Sequence, residues 1–367
     1  MTIPDNLILK NIKNTLISSA DVANKNCENF VGATQIPLGI AGPLKIVTGT
    51  SVEEYFLPLT TTEGALIASV NRGCKATYQN GINTFVENVG ITRAPLFKTA
   101  GIADSKKIVA DLKNSLSKLN DIALSTSSHI ALLGFEEQIV GKNLWLRFSF
   151  DTEEAMGLNM VTKASEKISQ YIEDKYHVKC LAISGNYCSD KKATWVSFIR
   201  GRGKKVWAET IIDKNFCQQV LKTSPKNIVE IVKQKSQLGS IVAGSLGFNA
   251  HFANVIAALF LSTGQDAGHI SESSMGITEA EVDSEGNLYF SVYLPSLIIG
   301  TVGGGTTLPT QKESLGIMNI GNSRNDALKF SQIIAGAVLA GELSLTAALA
   351  SGDLVTAHQK LGKGKCP

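Results

Sequence analysis

Two stretches rich in small residues limit what this chain can fold into: GSIVAGSLGFNAHFANVIAALF, from Gly239 to Phe260, and IIAGAVLAGELSLTAALASG, from Ile333 to Gly352. They read as tightly packed helices whose Gly and Ala let neighbouring backbones approach closely. Such helices pack against one another or against a symmetry mate. The first is predicted to run to Gly264, a helix stop just before Gln265 and Asp266. The apolar runs inside them, Val255 to Leu261 and Ile333 to Ala340, are shorter than the about 20 residues that span a bilayer. The opening MTIPDNLILKNIKN has no basic stretch followed by an apolar one, so no signal peptide is expected, and the cytoplasm is the expected location.

With 367 residues and 44% hydrophobic content, the chain can bury a large core in two or more domains or one discontinuous pair. A formal charge of +3 without single-sign runs leaves no footprint for nucleic acid or membrane. The cluster Arg202, Lys204 and Lys205 is at most a small anion site. The six cysteines are scattered, with no CxxC pair and no His at zinc spacing, so reduced thiols and no metal are expected.

Between Ile91 and Ile183 the pattern changes. It parses as strand (Ile91 to Phe97), helix (Ala103 to Leu119), strands Ile130 to Phe135 and Asn143 to Phe150, helix (Glu153 to Tyr176) and strand (Lys179 to Ile183). This β-α-β-β-α-β order belongs to the ferredoxin-like split βαβ motif, and it predicts a compact unit inserted in a larger, helix-rich one.

Several segments offer chemistry, each with a plainer reading beside it. In SGNYCSDKKATW, Ser184 to Trp195, a polar loop enters a strand-like ATWVSFI run. Its adjacent Lys191 and Lys192 project in different directions, so one can hold a carboxylate while the other stabilises a developing oxyanion; the alternative is a solvated turn. Thr60 stands three residues before Glu63, which fits a capping box, while the functional reading of Glu63 is a carboxylic acid that donates a proton. Asp266 is either a loop carboxylate or the group that tunes these neighbours, and His358 is either a surface side chain or a proton donor to a thiolate. His129, His177, His251 and His269 read as structural. EEAMGLNM (Glu153 to Met160) opens an amphipathic helix and GTVGGGTT (Gly300 to Thr307) is a glycine-rich loop. Both suit a pyrophosphate, yet neither is a Rossmann or P-loop motif; acidic residues at a helix start and a tight turn explain them as well.

Together with CENFVGATQIPLGIAGPL, TTTEGALIASVNRGCKA, GQDA and AGELSLTAALASGDLV, these segments resemble 3-hydroxy-3-methylglutaryl-CoA (HMG-CoA) reductase in order and spacing, from residue 25 to 363. The resemblance implies an α+β fold with a helix-rich large substrate-binding domain (25–90 and 183–345) and an inserted ferredoxin-like domain (91–182) for the nicotinamide cofactor. A helical arm (1–24) precedes them, and a C-terminal helix and mobile tail (346–367) carries the catalytic His358. The resemblance also implies a homodimer with shared active sites, or a dimer of dimers. Its catalytic residues map to Glu63 as acid, Lys191 as oxyanion stabiliser, Asp266 as their electrostatic partner and His358 as proton donor to departing CoA. Substrate contacts map to Arg72, Arg93, Ser184, Asp190, Lys192, Lys235 and Asn254, with Asn71 nearby. Cofactor contacts map to Ser127, Ser128, Glu154, Met156, Gly157, Asn159, Gly264, Gln265, Gly303, Gly304, Gly305, Thr306 and Lys363.

The implied reaction is a four-electron reduction of (S)-HMG-CoA to (R)-mevalonate and CoA in the mevalonate pathway, through a hemithioacetal and mevaldehyde. Three positions depart from the family pattern. Glu154 stands where Asp is common. Ser128 stands where NADPH users carry an Arg for the 2′-phosphate, which leaves NADH as an alternative; His129 or Lys363 could meet a phosphate instead, so NADPH is expected. Ala357 leaves no hydroxyl beside His358. The missing membrane anchor of eukaryotic relatives points to a prokaryotic source. Competing expectations are an NAD-linked, mevalonate-degrading enzyme of the same family, CoA acyl transfer through Cys74 or Cys188, and a non-catalytic CoA-binding oligomer.

Overall fold

The computed structural model describes residues 26–30, 32–49, 51–321 and 323–352. The predicted N-terminal arm, His358 and Lys363 lie outside them. Eleven strands join in one continuous hydrogen-bonded system: β1 (Leu38–Thr48), β2 (Ser51–Thr60), β3 (Ile82–Arg93), β4 (Leu96–Lys98), β5 (Ala131–Val140), β6 (Asn143–Asp151), β7 (Lys179–Ala182), β8 (Gly203–Ile212), β9 (Gly247–Phe248), β10 (Gly276–Val282) and β11 (Leu288–Leu297). The path runs β7-β4-β6-β3-β8-β11-β10-β9, with β1 and β2 paired to each other and β5 beside β6.

β3 belongs to both halves of this system. Asn83 to Gly90 pairs with β8, and Ile91 to Arg93 pairs with β6. The change of partner falls at Gly90, whose φ of +83° suits glycine, and a Cβ there would stand 2.8 Å from the carbonyl oxygen of Phe150. Beyond β3, Pro95 lacks an N–H and interrupts the pairing that β4 resumes on β6. The order β7-β4-β6-β5, antiparallel throughout, is the ferredoxin-like arrangement expected from the sequence. Helices Ile102–Asn114, Leu116–Leu124 and Leu158–Tyr176 supply Ile108, Leu112, Leu119, Val161 and Ile168 to a core with Phe97, Leu146 and Phe148 of this sheet.

The second core surrounds helix Asp326–Ser351, which is buried on nearly every side. Its small residues admit close neighbours: a Cβ on Gly73 of helix Leu66–Thr77 would lie 1.9 Å from the Ala340 carbonyl oxygen. Gly341 faces Val255 of helix Phe252–Thr263, and Gly336 faces Ile46 of β1. Helix Asp326–Ser351 is long and apolar enough to cross a membrane, contrary to the expectation that no such stretch exists, but 83% of that window is buried inside the fold.

Local expectations failed where tertiary contacts took over. No capping box forms: helix Leu66–Thr77 starts after Ala65, which has a φ of 74°, and the Glu63 amide donates to the Thr61 hydroxyl at 2.9 Å. The long helix of the small unit starts at Leu158 rather than Glu153, because Gly157 turns left-handed (φ 79°) and packs on Thr152. The strand-like ATWVSFI run is helix Trp195–Arg200, capped by the Thr194 hydroxyl, which accepts from the Ser197 amide. The expected helix from Ala103 to Leu119 is two, broken at Ser115. The Gly239 to Phe260 stretch divides at Gly244 (φ 69°) into a helical turn, short β9 and helix Phe252–Thr263, which does stop at Gly264.

Candidate active site

The loop between β7 and helix Trp195–Arg200 carries Ser184 to Lys192, and three of its non-glycine residues are left-handed: Asn186 (φ 64°), Ser189 (φ 57°) and Lys191 (φ 60°). Such a backbone costs energy for L-residues and persists only where surroundings impose it. Here the Thr92 hydroxyl donates to the Cys188 carbonyl at 2.9 Å, and the Lys191 amide donates to Glu272 Oε1 at 3.3 Å. The loop therefore projects the Lys191 ammonium, which lies 2.7 Å from Asp266 Oδ2.

Asp266 follows the stop at Gly264 and caps the turn Ala267–His269, its Oδ1 accepting from the Gly268 amide at 2.9 Å. Partial burial pushes its carboxyl up, but the Lys191 ammonium, the Gly268 amide and the charge of His269 outweigh burial and hold it below the usual range. Beneath this pair lies a buried ionic cluster. Arg202, fully buried, donates to Glu272 Oε1 at 2.7 Å, to Asp190 Oδ1 at 3.0 Å and to the Thr92 hydroxyl at 2.9 Å. Arg93 donates to the Ser184 hydroxyl at 3.2 Å and to Asp190 Oδ2 at 3.4 Å. His269 Nδ1 meets Glu272 Oε1, and its Nε2 stands 3.6 Å from Asp266 Oδ2 and 3.9 Å from Asp190 Oδ1. Donor atoms of Asp190, His269 and Glu272 lie close enough together to ligate a metal, but Arg202 already supplies the cation that two of them need.

Glu63 is elsewhere. Its carboxylate accepts from the Asn254 amide at 2.7 Å, near the start of helix Phe252–Thr263, whereas Asp266 lies past that helix's end. Its 12 residues span about 18 Å at 1.5 Å per residue. Within one chain the Glu63–Asn254 pair and the Lys191–Asp266 pair are thus at opposite ends of one helix. The remaining expected substrate residues divide. Ser184, Asp190 and Arg93 join the cluster; Lys192 is exposed, its ammonium donating to the Asp190 carbonyl at 3.1 Å. Arg72 turns to helix Asp326–Ser351, its Nε donating to the Ser344 hydroxyl at 3.0 Å. Lys235 is exposed on the π-helical stretch Val232–Gly239, away from every hydrogen bond of the cluster. Between helix Leu66–Thr77 and Phe216, an open pocket of about 910 Å³ is lined by Asn71, Lys75 and Tyr78 together with Gly42 and Pro43.

The segments expected to meet a dinucleotide converge. Ala155 bridges to Val302, Gly300 packs on the Met156 amide, and Gly264 packs on Gly305, the two glycine contacts being ones that any Cβ would obstruct. A Cβ at Gly303 or Gly304 would instead stand in open space, so their backbone is accessible to a ligand. Thr306 is held by its hydroxyl on the Gly303 carbonyl at 2.7 Å, and Asn159 lies in the first turn of helix Leu158–Tyr176. The loop with Ser127 and exposed Ser128 reaches this region through His129, whose Nδ1 is 2.7 Å from Glu153 Oε2. Two expected ligand contacts are occupied by the fold. Glu154 accepts from the Asn325 and Ala327 amides at 2.6 and 2.7 Å, capping the start of helix Asp326–Ser351, so it does not serve its own helix's dipole. Buried Gln265 makes two 2.9 Å bonds with the Gly300 backbone.

The thiol alternative fails on access. Cys74 is buried and burial pushes its thiol up to about 12, while Cys188 is fully buried against the Ser184 hydroxyl at 3.4 Å. Sequence reasoning missed Arg202, His269 and Glu272. Arg202 stood only in a basic cluster and His269 was read as structural; their one signal was nearness to the DKK and GQDA segments.

A family profile described as hydroxymethylglutaryl-coenzyme A reductase matches residues 4–363. The chain is 48% identical over 362 residues to the 3-hydroxy-3-methylglutaryl-coenzyme A reductase of Pyrococcus abyssi, covering 97% of this chain and 89% of that one. It is also 48% identical over 361 residues to the enzyme of the same name from Methanocaldococcus jannaschii, covering 96% and 89%. Among solved structures, the class II 3-hydroxy-3-methylglutaryl-CoA reductase of Streptococcus pneumoniae, bound to NADPH in open conformations, superposes with a TM-score of 0.74 at 21% identity over 93% of this chain and 92% of that one, a likeness of fold. With its conserved length and the DKK, GQDA and GTVGGGTT segments gathered as described, the chain belongs to the hydroxymethylglutaryl-coenzyme A reductase family.

Proposed function

We propose that this protein reduces (S)-HMG-CoA to (R)-mevalonate and CoA with two NAD(P)H and two protons, within isoprenoid synthesis. The observation that carries this reading is the Lys191 ammonium, presented by a strained loop and held 2.7 Å from Asp266 beside the Arg93–Asp190 and Arg202–Glu272 pairs. A preorganised cation of this kind stabilises the oxyanion that develops when a thioester or aldehyde carbonyl accepts hydride. Arg93 at the end of β3, with Ser184 and Lys192 of the loop, suits the free carboxylate of the hydroxymethylglutaryl group through charge-assisted hydrogen bonds, while the Asp190 carboxylate, an acceptor, holds Arg93 in place. Glu63 supplies the proton to the carbonyl oxygen, and His358 protonates the departing CoA thiolate so that it does not attack the aldehyde again.

The bound nicotinamide supplies the hydride in both reductions. The open backbone at Gly303 and Gly304, close to Met156 and Gly157, suits its pyrophosphate, and a relative in fold binds NADPH. NADPH is the proposed reductant, with His129 beside Ser128 available to a 2′-phosphate, and NADH is the alternative, since exposed Ser128 itself offers no cation.

The separation of Glu63 from Lys191 along helix Phe252–Thr263 argues against one chain bringing both to one carbonyl. A homodimer in which each site takes Glu63 and Asn254 from one copy and Lys191 and Asp266 from the other resolves this. The activity test is the HMG-CoA-dependent oxidation of NADPH and of NADH by the wild type and by Lys191→Ala. The variant is expected to lose ~100-fold or more in kcat; a near-normal rate rejects the role of Lys191. Wild-type turnover only from mevalonate, CoA and NAD favours the oxidative direction, and no turnover in any combination rejects the reductase reading.

A further inference from the structure

Three buried atoms of the cluster beneath Lys191 make no hydrogen bond: Arg93 Nε, Glu272 Oε2 and His269 Nε2. His269 is fully buried, and its Nε2 makes no hydrogen bond. The ring is fixed from its other side by Nδ1 on Glu272, which the Arg202 guanidinium anchors in turn at 2.7 Å. Nε2 is therefore aimed at one place, the gap between Asp266 Oδ2 at 3.6 Å and Asp190 Oδ1 at 3.9 Å. Both distances are too long for a hydrogen bond. The charged groups around the ring are Glu272 and Asp266 on its own segment, Asp190 and Lys191 on the loop, and Arg202 at the start of β8.

Asp266 Oδ2, the oxygen that His269 faces, is also the oxygen that holds Lys191 at 2.7 Å. A Lys191 ammonium that turns to a substrate carbonyl oxygen loosens this contact, and Asp266 is left with the Gly268 amide on Oδ1. A shift of less than about 1 Å brings Oδ2 within hydrogen-bond reach of Nε2. We propose that His269 is a positioning residue, whose Nε2–H takes up Asp266 when Lys191 engages the substrate, keeping the carboxylate aimed at the reacting carbonyl. The ring then donates from both nitrogens, to Glu272 and to Asp266, and no donor of the ring is left over. The inference rests on the assignment of Lys191 and Asp266 as the catalytic pair.

The test is steady-state kinetics of His269→Gln and His269→Asn in the full-length protein, beside wild type and Lys191→Ala. Gln places its amide near the position of Nε2 and can still donate to Asp266; Asn places it near Nδ1 and serves only Glu272. Positioning predicts that His269→Gln keeps kcat within about threefold, whereas His269→Asn loses on the order of 10-fold or more with KM for HMG-CoA little changed. Equal kcat in the two variants, or a loss confined to KM, overturns the proposal. Should both variants fail to fold, ¹⁵N spectra of the wild-type imidazole in the presence of HMG-CoA decide: hydrogen on both ring nitrogens supports it, and an unprotonated Nε2 overturns it. A Lys191→Ala variant that remains active overturns the underlying assignment instead, which separates the two failures.

Discussion

Asp266 shows how one residue can be legible as a type and illegible as a function. The GQDA segment marks it, but only the fold places its carboxylate against Lys191 and the Gly268 amide. Because those contacts hold its carboxyl below the usual range, the unfolded chain binds the proton more readily. The stabilisation is fully present above the unfolded aspartate value of about 3.9 and is lost as pH falls through the lower folded value. Asp266→Asn is expected to flatten the acid limb of stability, measured by urea titration at a series of pH values below about 6. Arg202 belongs to a different class, since it is fully buried between Glu272 and Asp190. Replacing it by Met leaves buried Glu272 with only the His269 ring and the Lys191 amide as partners, and a loss of about 3–5 kcal/mol in the same titration is expected. A change below about 1 kcal/mol would show that the cluster tolerates an unpaired carboxylate.

At the scale of elements, periodicity served well where a segment has one neighbour and poorly where it has several. The β-α-β-β-α-β order was readable because the small unit packs its sheet on a single helical layer, as in β6, where Leu144, Leu146, Phe148 and Phe150 alternate into the core. Helix Leu66–Thr77 was mispredicted at its start because its entry is set by packing rather than by a cap: Gly73 sits on the Ala340 backbone, and Ser69 and Arg72 reach Ser344. Gly73→Ala tests this. Alanine favours a helix by about 1 kcal/mol, yet its Cβ would meet the Ala340 carbonyl, so the helices must separate. A net destabilisation of about 1–3 kcal/mol is expected from the urea midpoint, and a gain in stability would mean that the contact is loose.

For the whole molecule, the informative fact is the length of helix Phe252–Thr263, which keeps Glu63 with Asn254 and Lys191 with Asp266 at separate ends. Mixing Glu63→Gln with Lys191→Ala protein under subunit exchange is expected to restore activity that neither has alone. In the proposed homodimer, random pairing makes half the dimers mixed, each with one intact site, so about a quarter of wild-type activity returns. No recovery would place each site within a single chain.

The sequence by itself determined the family, the order of elements in the inserted unit and which residue types offer chemistry, because these depend on local spacing and on the order of motifs along the chain. It also determined where helix Phe252–Thr263 stops, since Gly264 adopts a backbone that other residues resist. Tertiary structure alone decided which of those residues meet. Glu154 and Gln265 were drawn into holding backbone amides and carbonyls, while His269, Glu272 and Arg202 came together beneath Lys191 from segments about 70 residues apart. Burial makes an unpaired charge costly, so buried ionic groups take their partners from whichever segments the core brings near. No local rule reports that choice.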